Sequence, residues 1–101
     1  MAVYTSADWH VKPGREKEFV DAWREIANWS GTEYDLGGWA KLLKDKEDPT
    51  HFRSVGEWAN DALVAKWRAS DAFKQRLATI NELLDDMHLY TMDVAAEVQT
   101  D

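Results

Sequence analysis

The chain has no cysteine among its 101 residues. That excludes a disulfide, a thiolate metal site and a cysteine nucleophile, and makes an intracellular, cytoplasmic location the expectation. Long apolar runs are missing too: nothing approaches the ~20 residues that a membrane helix needs. Met1-Ala2-Val3-Tyr4-Thr5 has neither a basic n-region nor an apolar h-region, so no signal peptide is expected. Basic residues are the minority charge, 12 Lys and Arg against 19 Asp and Glu, for a formal net charge of −7. A field of that sign repels phosphate backbones and anionic lipid, so neither nucleic acid nor a membrane is an expected partner.

Several chemical motifs are absent as well. Gly37-Gly38 lacks the spacing of a phosphate-binding loop, and no Ser sits in a nucleophile-elbow context. His10, His51 and His88 are far apart with no His-x-x-x-His spacing, so no metal site is expected. Asp85-Asp86 reads as a solvated helix terminus, because acids are disfavoured at that end of a helix dipole.

Tryptophan, by contrast, is abundant. Six Trp are many for so small a core, which points to a pocket or a subunit interface. The stretch from Glu57-Trp58 to Ala72-Phe73 is the most informative. A strand ends on Trp58, Asn60 caps a short helix ending at Trp67-Arg68, and Ser70 caps the next helix. Large rings placed where a strand hands over to helices can build the wall of a pocket rather than a featureless core.

The pattern predicts one domain, 1–101, with four strands and three helices. Alternation over Val3 to Val11 predicts a strand with Val3, Thr5, Ala7, Trp9 and Val11 on one face. Lys12-Pro13-Gly14 breaks it. Phe19, Ala22, Trp23, Ile26 and Trp29 then recur at helical spacing from Gly14 to Trp29, with Ser30-Gly31 as the stop. Leu36 to Lys44 and His51 to Trp58 read as an antiparallel hairpin across a charged turn. Helices over Asp61 to Arg68 and Asp71 to about Asp86 precede a last strand, His88 to Val98. This order is that of an α+β, ferredoxin-like β-α-β-β-α-β domain, an antiparallel sheet with helices on one face. The other face holds a mixture of Tyr4, Ser6, Asp8, His10, His51, Arg53, Val55 and Glu57, which would suit packing against a second copy in a homodimer.

These residues resemble a family. Val11-Lys12-Pro13-Gly14-Arg15-Glu16-Lys17-Glu18-Phe19, Trp23, Gly38, Leu42-Leu43, Asp48-Pro49, Phe52, Glu57-Trp58 and Trp67-Arg68-Ala69-Ser70-Asp71-Ala72-Phe73 are together similar to the antibiotic biosynthesis monooxygenase domain. The resemblance runs from about Val3 to Val98. It implies a dimeric α+β barrel with substrate held between helices and sheet in each subunit. It also implies oxidation of phenols, quinols or polyketide-like aromatics by molecular oxygen with no bound cofactor. A haem-degrading branch of the family has an Asn on the first strand, a Trp before the Ser-Asp-x-Phe stretch and an iron-ligating His on the next helix. Only Trp67 matches; Ala7 and Leu77 occupy the other two positions, which argues against haem degradation.

Trp67 is the leading candidate catalytic residue, able to stack on a flat substrate and to donate its indole N–H, although it could equally anchor the short helix. Tyr90 is the second, a phenol expected on the helix-covered face with Met92, Trp9 and Ala7. Phe52 and Ser54 are expected beside them as substrate contacts, and Tyr34 at the pocket mouth. The plain alternative for all of these is an ordinary core. Asp8 and His10, with Arg53 near, could form an acid–base pair, but their face makes interface hydrogen bonding the expected role. Three functions remain open: a cofactor-independent monooxygenase, a non-catalytic dimer binding a small aromatic molecule, and a polyketide cyclase.

Overall fold

The computed structural model of the chain describes residues 2–34 and 39–100. β1 (Val3–Val11) alternates as its sequence requires, with Val3, Ala7, Trp9 and Val11 buried. Gly14, at φ 89, turns the chain in a conformation that L side chains rarely adopt. α1 (Glu16–Tyr34) follows, with Phe19 and Ile26 on its buried stripe. It runs on past Ser30-Gly31 because Ser30 does not break the helix. Its hydroxyl donates to the Ile26 carbonyl one turn back, at 2.7 Å, and so stays within the ladder. Tyr34 therefore closes α1 rather than lying in a loop. Leu36, Gly37 and Gly38 lie outside the described residues, and β2 is Ala40–Lys44.

β3 (His51–Trp58) hairpins onto β2, and α2 (Asp61–Ala69) and α3 (Asp71–Asn81) follow, each with its expected cap. Asn60 Oδ1 accepts from the Leu63 N–H at 3.0 Å, and Ser70 Oγ accepts from the Phe73 N–H at 3.1 Å. The sheet has strand order β2-β3-β1-β4, antiparallel throughout, with β4 spanning Leu84–Asp93. This is the α+β ferredoxin-like arrangement, the second helix being divided in two.

The expected boundary between the last helix and the last strand is corrected. Ile80 to Leu84 continues the helical i, i+4 spacing, yet α3 stops at Asn81 and the Leu83 N–H turns back to the Ile80 carbonyl at 2.9 Å. The gain is a strand long enough to pair with β1 along its whole length. The face of β4 is corrected as well. Ala7 pairs with Leu89 and Trp9 with Met87, so Leu89 and Met87 face the helices. Tyr90 pairs with Ser6 and Met92 with Tyr4 on the open face, where they are 38% and 44% exposed. Because strand side chains alternate, a register displaced by one residue moves every one of them to the other face.

Candidate active site

Between α1, the α2–α3 elbow and the sheet lies a hollow of ≈ 80 Å³. α1 contributes Trp23, Ile26, Ala27 and Ser30, and the elbow contributes Trp67, Arg68, Phe73 and Leu77. The floor includes Thr5, Ala7, Trp9, Ser54, Gly56 and Trp58, with Leu89 from β4. A water molecule needs ~10–15 Å³ of such space and small-molecule sites run from about 300 Å³ upward, so this space holds a ring edge rather than a whole polycycle. An open recess of ≈ 570 Å³ adjoins it, lined by Trp39, Arg24, Asn28 and Thr32 among others. Trp23, Ala27 and Ala40 line both, so the two spaces share a wall.

Three indoles in the wall are each tied to a hydroxyl. Trp9 Nε1 donates to Ser54 Oγ at 3.0 Å, Trp58 Nε1 to Thr5 Oγ1 at 3.1 Å and Trp67 Nε1 to Ser30 Oγ at 2.9 Å. Buried indoles need such partners, and the small polar residues of the sheet and of α1 supply them. The rings also pack on one another: Trp58 lies 4.7 Å from Trp67, which lies 4.2 Å from Phe73, in tilted arrangements. Trp67 thus presents its ring to the hollow while its N–H is occupied.

Arg68 is the one charged side chain among the described lining residues. Its Nη1 donates to Thr91 Oγ1 and its Nη2 to the Tyr90 carbonyl at 2.9 Å, tying α2 to β4. Its Nε is buried without a hydrogen-bond partner. Burial away from water pulls the guanidinium pKa below its ordinary value.

Of the residues singled out from sequence, Trp67, Trp9, Ala7 and Ser54 line the hollow together. Phe52 is buried behind them, its ring 5.1 Å from Phe19, and contributes no wall. Tyr34 packs 5.9 Å from both Trp29 and Trp58, outside the lining. Tyr90 and Met92 lie on the opposite side of the sheet; Tyr90 reaches the site only through its backbone carbonyl. Ala7, Trp67 and Leu77, the three positions compared with the haem-degrading branch, all line the same hollow. Sequence reasoning missed Arg68, Thr5 and Ser30. Thr5 was legible, since it shares a strand face with Ala7 and Trp9. Arg68 and Ser30 had no such signal, being set by how the helices dock.

On the open face Asp8 pairs with His51 rather than with His10. His51 Nε2 lies 2.9 Å from Asp8 Oδ1 and Nδ1 lies 3.1 Å from Asp45 Oδ2, while His10 stacks on the His51 ring at 4.8 Å. Arg53 holds Asp8 through Nε and Nη2 at 3.2 and 2.7 Å. Hydrogen bonds from His51 and Arg53 lower the Asp8 pKa, and those to Asp8 and Asp45 raise that of His51.

This architecture places the chain among small α+β sheet proteins with an aromatic hollow under the helices. Residues 2–78 match the family described as Antibiotic biosynthesis monooxygenase, and the chain belongs to that family. No curated protein matches it. Its fold is similar to that of an antibiotic biosynthesis monooxygenase crystal structure, with TM-score 0.77 and 23% identity over 93% of this chain and 99% of that one. It is also similar to a mutant of SnoaB, a cofactor-independent oxygenase from Streptomyces nogalater, with TM-score 0.86 and 12% identity over 98% of each chain. A conserved protein from Methanosarcina mazei Go1 shares the fold at TM-score 0.78 and 20% identity, over 90% of each chain.

Proposed function

We infer that the chain is a cofactor-independent monooxygenase acting on a small phenolic, quinol or polyketide-like aromatic compound. The observation that carries this reading is the ring-lined hollow, in which Trp67, Trp58, Trp9 and Phe73 surround a space closed on one side by the sheet. Flat electron-rich guests are held by such walls through stacking and apolar contact. The substrate itself would supply the electrons. Loss of a phenolic proton puts carbanion character on a ring carbon, which adds oxygen to form a hydroperoxide. Cleavage of the O–O bond then releases water and leaves one oxygen atom on the carbon as a carbonyl. Trp67 would position the ring; Ala7, Trp9 and Ser54 would complete the contact surface.

With an inner space of ≈ 80 Å³, only the reacting end of a larger guest would enter, the remainder lying in the outer recess. The absence of a carboxylate or imidazole from the described wall favours a second reading, a non-catalytic binder of the same ligands. Oxygen consumption with a panel of polycyclic phenols and quinols separates the two. Uptake with one labelled oxygen retained in the product is expected for the oxygenase. Binding without uptake across the panel leaves only the binder, and loss of water without oxygen use identifies a cyclase. The protein would work as a homodimer paired through the open sheet face.

A further inference from the structure

The polar groups facing the hollow share one property. Among its described lining residues there is no Asp, Glu, His, Lys or Tyr, so no side chain there can take up a proton near neutral pH. The wall instead offers donors. Ser54 and Thr5 each accept from an indole, and no described acceptor receives their own hydroxyl hydrogens. Arg68 adds the second N–H of each of its Nη1 and Nη2, beyond the single bond each makes to β4. No carboxylate of a described residue pairs with Arg68; its partners are a neutral hydroxyl and a neutral carbonyl. The carbonyl end of α2, where Arg68 sits, offsets roughly half a charge. A cation with spare donors in a site lacking a side-chain base is complementary to a guest that brings an acceptor and a negative charge.

We propose that the hollow binds the ionised form of an aromatic hydroxyl compound, with Arg68 as the residue that receives the phenolate oxygen. This rests on reading the hollow as the substrate site, and adds how the substrate loses its proton. The proton goes to water rather than to a protein base, because the bound phenolate is favoured over the bound phenol. Arg68 lines the inner hollow and not the outer recess, so the acidic oxygen enters first and apolar bulk remains towards Trp23, Ala27 and Ala40.

The test uses 4-nitrophenol, which absorbs in the visible only when ionised, at a pH about one unit below its own pKa in water. Adding wild-type protein should raise the phenolate band, lowering the bound probe's apparent pKa by about one unit or more. The neutral 4-nitroanisole should bind about tenfold more weakly than the phenolate, the effect of one charge-assisted contact. R68M should abolish the band increase while binding 4-nitroanisole within about twofold of wild type, and R68K should retain part of it. Because Arg68 also holds β4, R68M could unfold, and the wild-type comparison decides without it. Binding of 4-nitrophenol as the neutral phenol, equal affinity for both probes, or no binding of either would overturn the proposal. So would capture of 4-nitrobenzoate in preference to the phenolate. An ionised probe with no oxygen uptake on any substrate would overturn the oxygenase reading alone.

Discussion

Ser30 serves two neighbours at once. It accepts from Trp67 Nε1 at 2.9 Å and donates to the Ile26 carbonyl at 2.7 Å, joining α1 to the elbow that carries Trp67. Ser30→Ala leaves the indole N–H without an acceptor in a largely dry place, and should cost about 1–3 kcal/mol in urea unfolding. Adding Trp67→Phe removes the stranded donor, so the double variant should lose less than the sum of the single changes. His51 makes a second residue-scale prediction. Its raised pKa means that its contribution is fully present below the ordinary value of 6.5 and is lost as pH rises through the higher folded value. Asp8, held below its ordinary 3.8, contributes above that value and loses its contribution as pH falls through the lower folded one. Stability from this pair should therefore be greatest between about pH 4 and 6.5. His51→Gln should flatten the decline on the alkaline side, as read by thermal melts across pH. The sequence placed Asp8 and Arg53 on one face correctly but offered His10 as the partner; the cross-strand register decides for His51.

At the scale of the element, the strands and caps with local signals were readable in the chain. β1 and β3 start and end where alternation and the flanking turns put them, and Asn60 and Ser70 cap the helices they precede. β4 was not, because Leu77, Ile80 and Leu84 keep helical spacing across a real boundary and Leu84 belongs to the strand. Its pairing with β1, a long-range interaction, sets that boundary. The same reason hid the true faces of Tyr90 and Met92. The elbow between α2 and α3 depends on Ser70, whose Oγ accepts from the Phe73 N–H and donates to the Trp67 carbonyl at 2.8 Å. Ser70→Ala should cost about 1 kcal/mol, with loss of helical signal at lower urea. In β3, a methyl added at Gly56 would meet Ala40 Cβ at 3.5 Å and Thr5 Oγ1 at 3.8 Å, ordinary contacts. Gly56→Ala should therefore be neutral or stabilise by about 0.5–1 kcal/mol while narrowing the hollow. Tryptophan quenching by aromatic ligands should weaken in that variant with no loss of melting temperature.

The whole molecule measures 38 × 37 × 19 Å along its principal axes, a slab of one helical layer on one sheet. Its helices pack on the side that carries Ala7, Trp9 and Phe52, and no described helix covers the other. That bare side carries Tyr4, Leu43, Val55, Tyr90 and Met92 among the charged groups around Asp8 and Arg53. Apolar patches rimmed by polar residues on an otherwise acidic protein are the composition of an interface rather than of a solvated sheet. A stable pair buries about 1,200–2,000 Å² in total, which a face of this breadth can supply. Sedimentation should accordingly give twice the 11.6 kDa chain mass. Tyr90→Glu places an added charge where the side chain is already 38% exposed in the single chain, so the subunit should still fold. Across a symmetric interface the same substitution sets carboxylates into a desolvated patch from both sides, and should shift the protein towards monomer. The circular dichroism spectrum would stay unchanged in that variant. A monomeric wild type at micromolar concentration, or a Tyr90→Glu variant that sediments as wild type, would remove the open face as the contact surface.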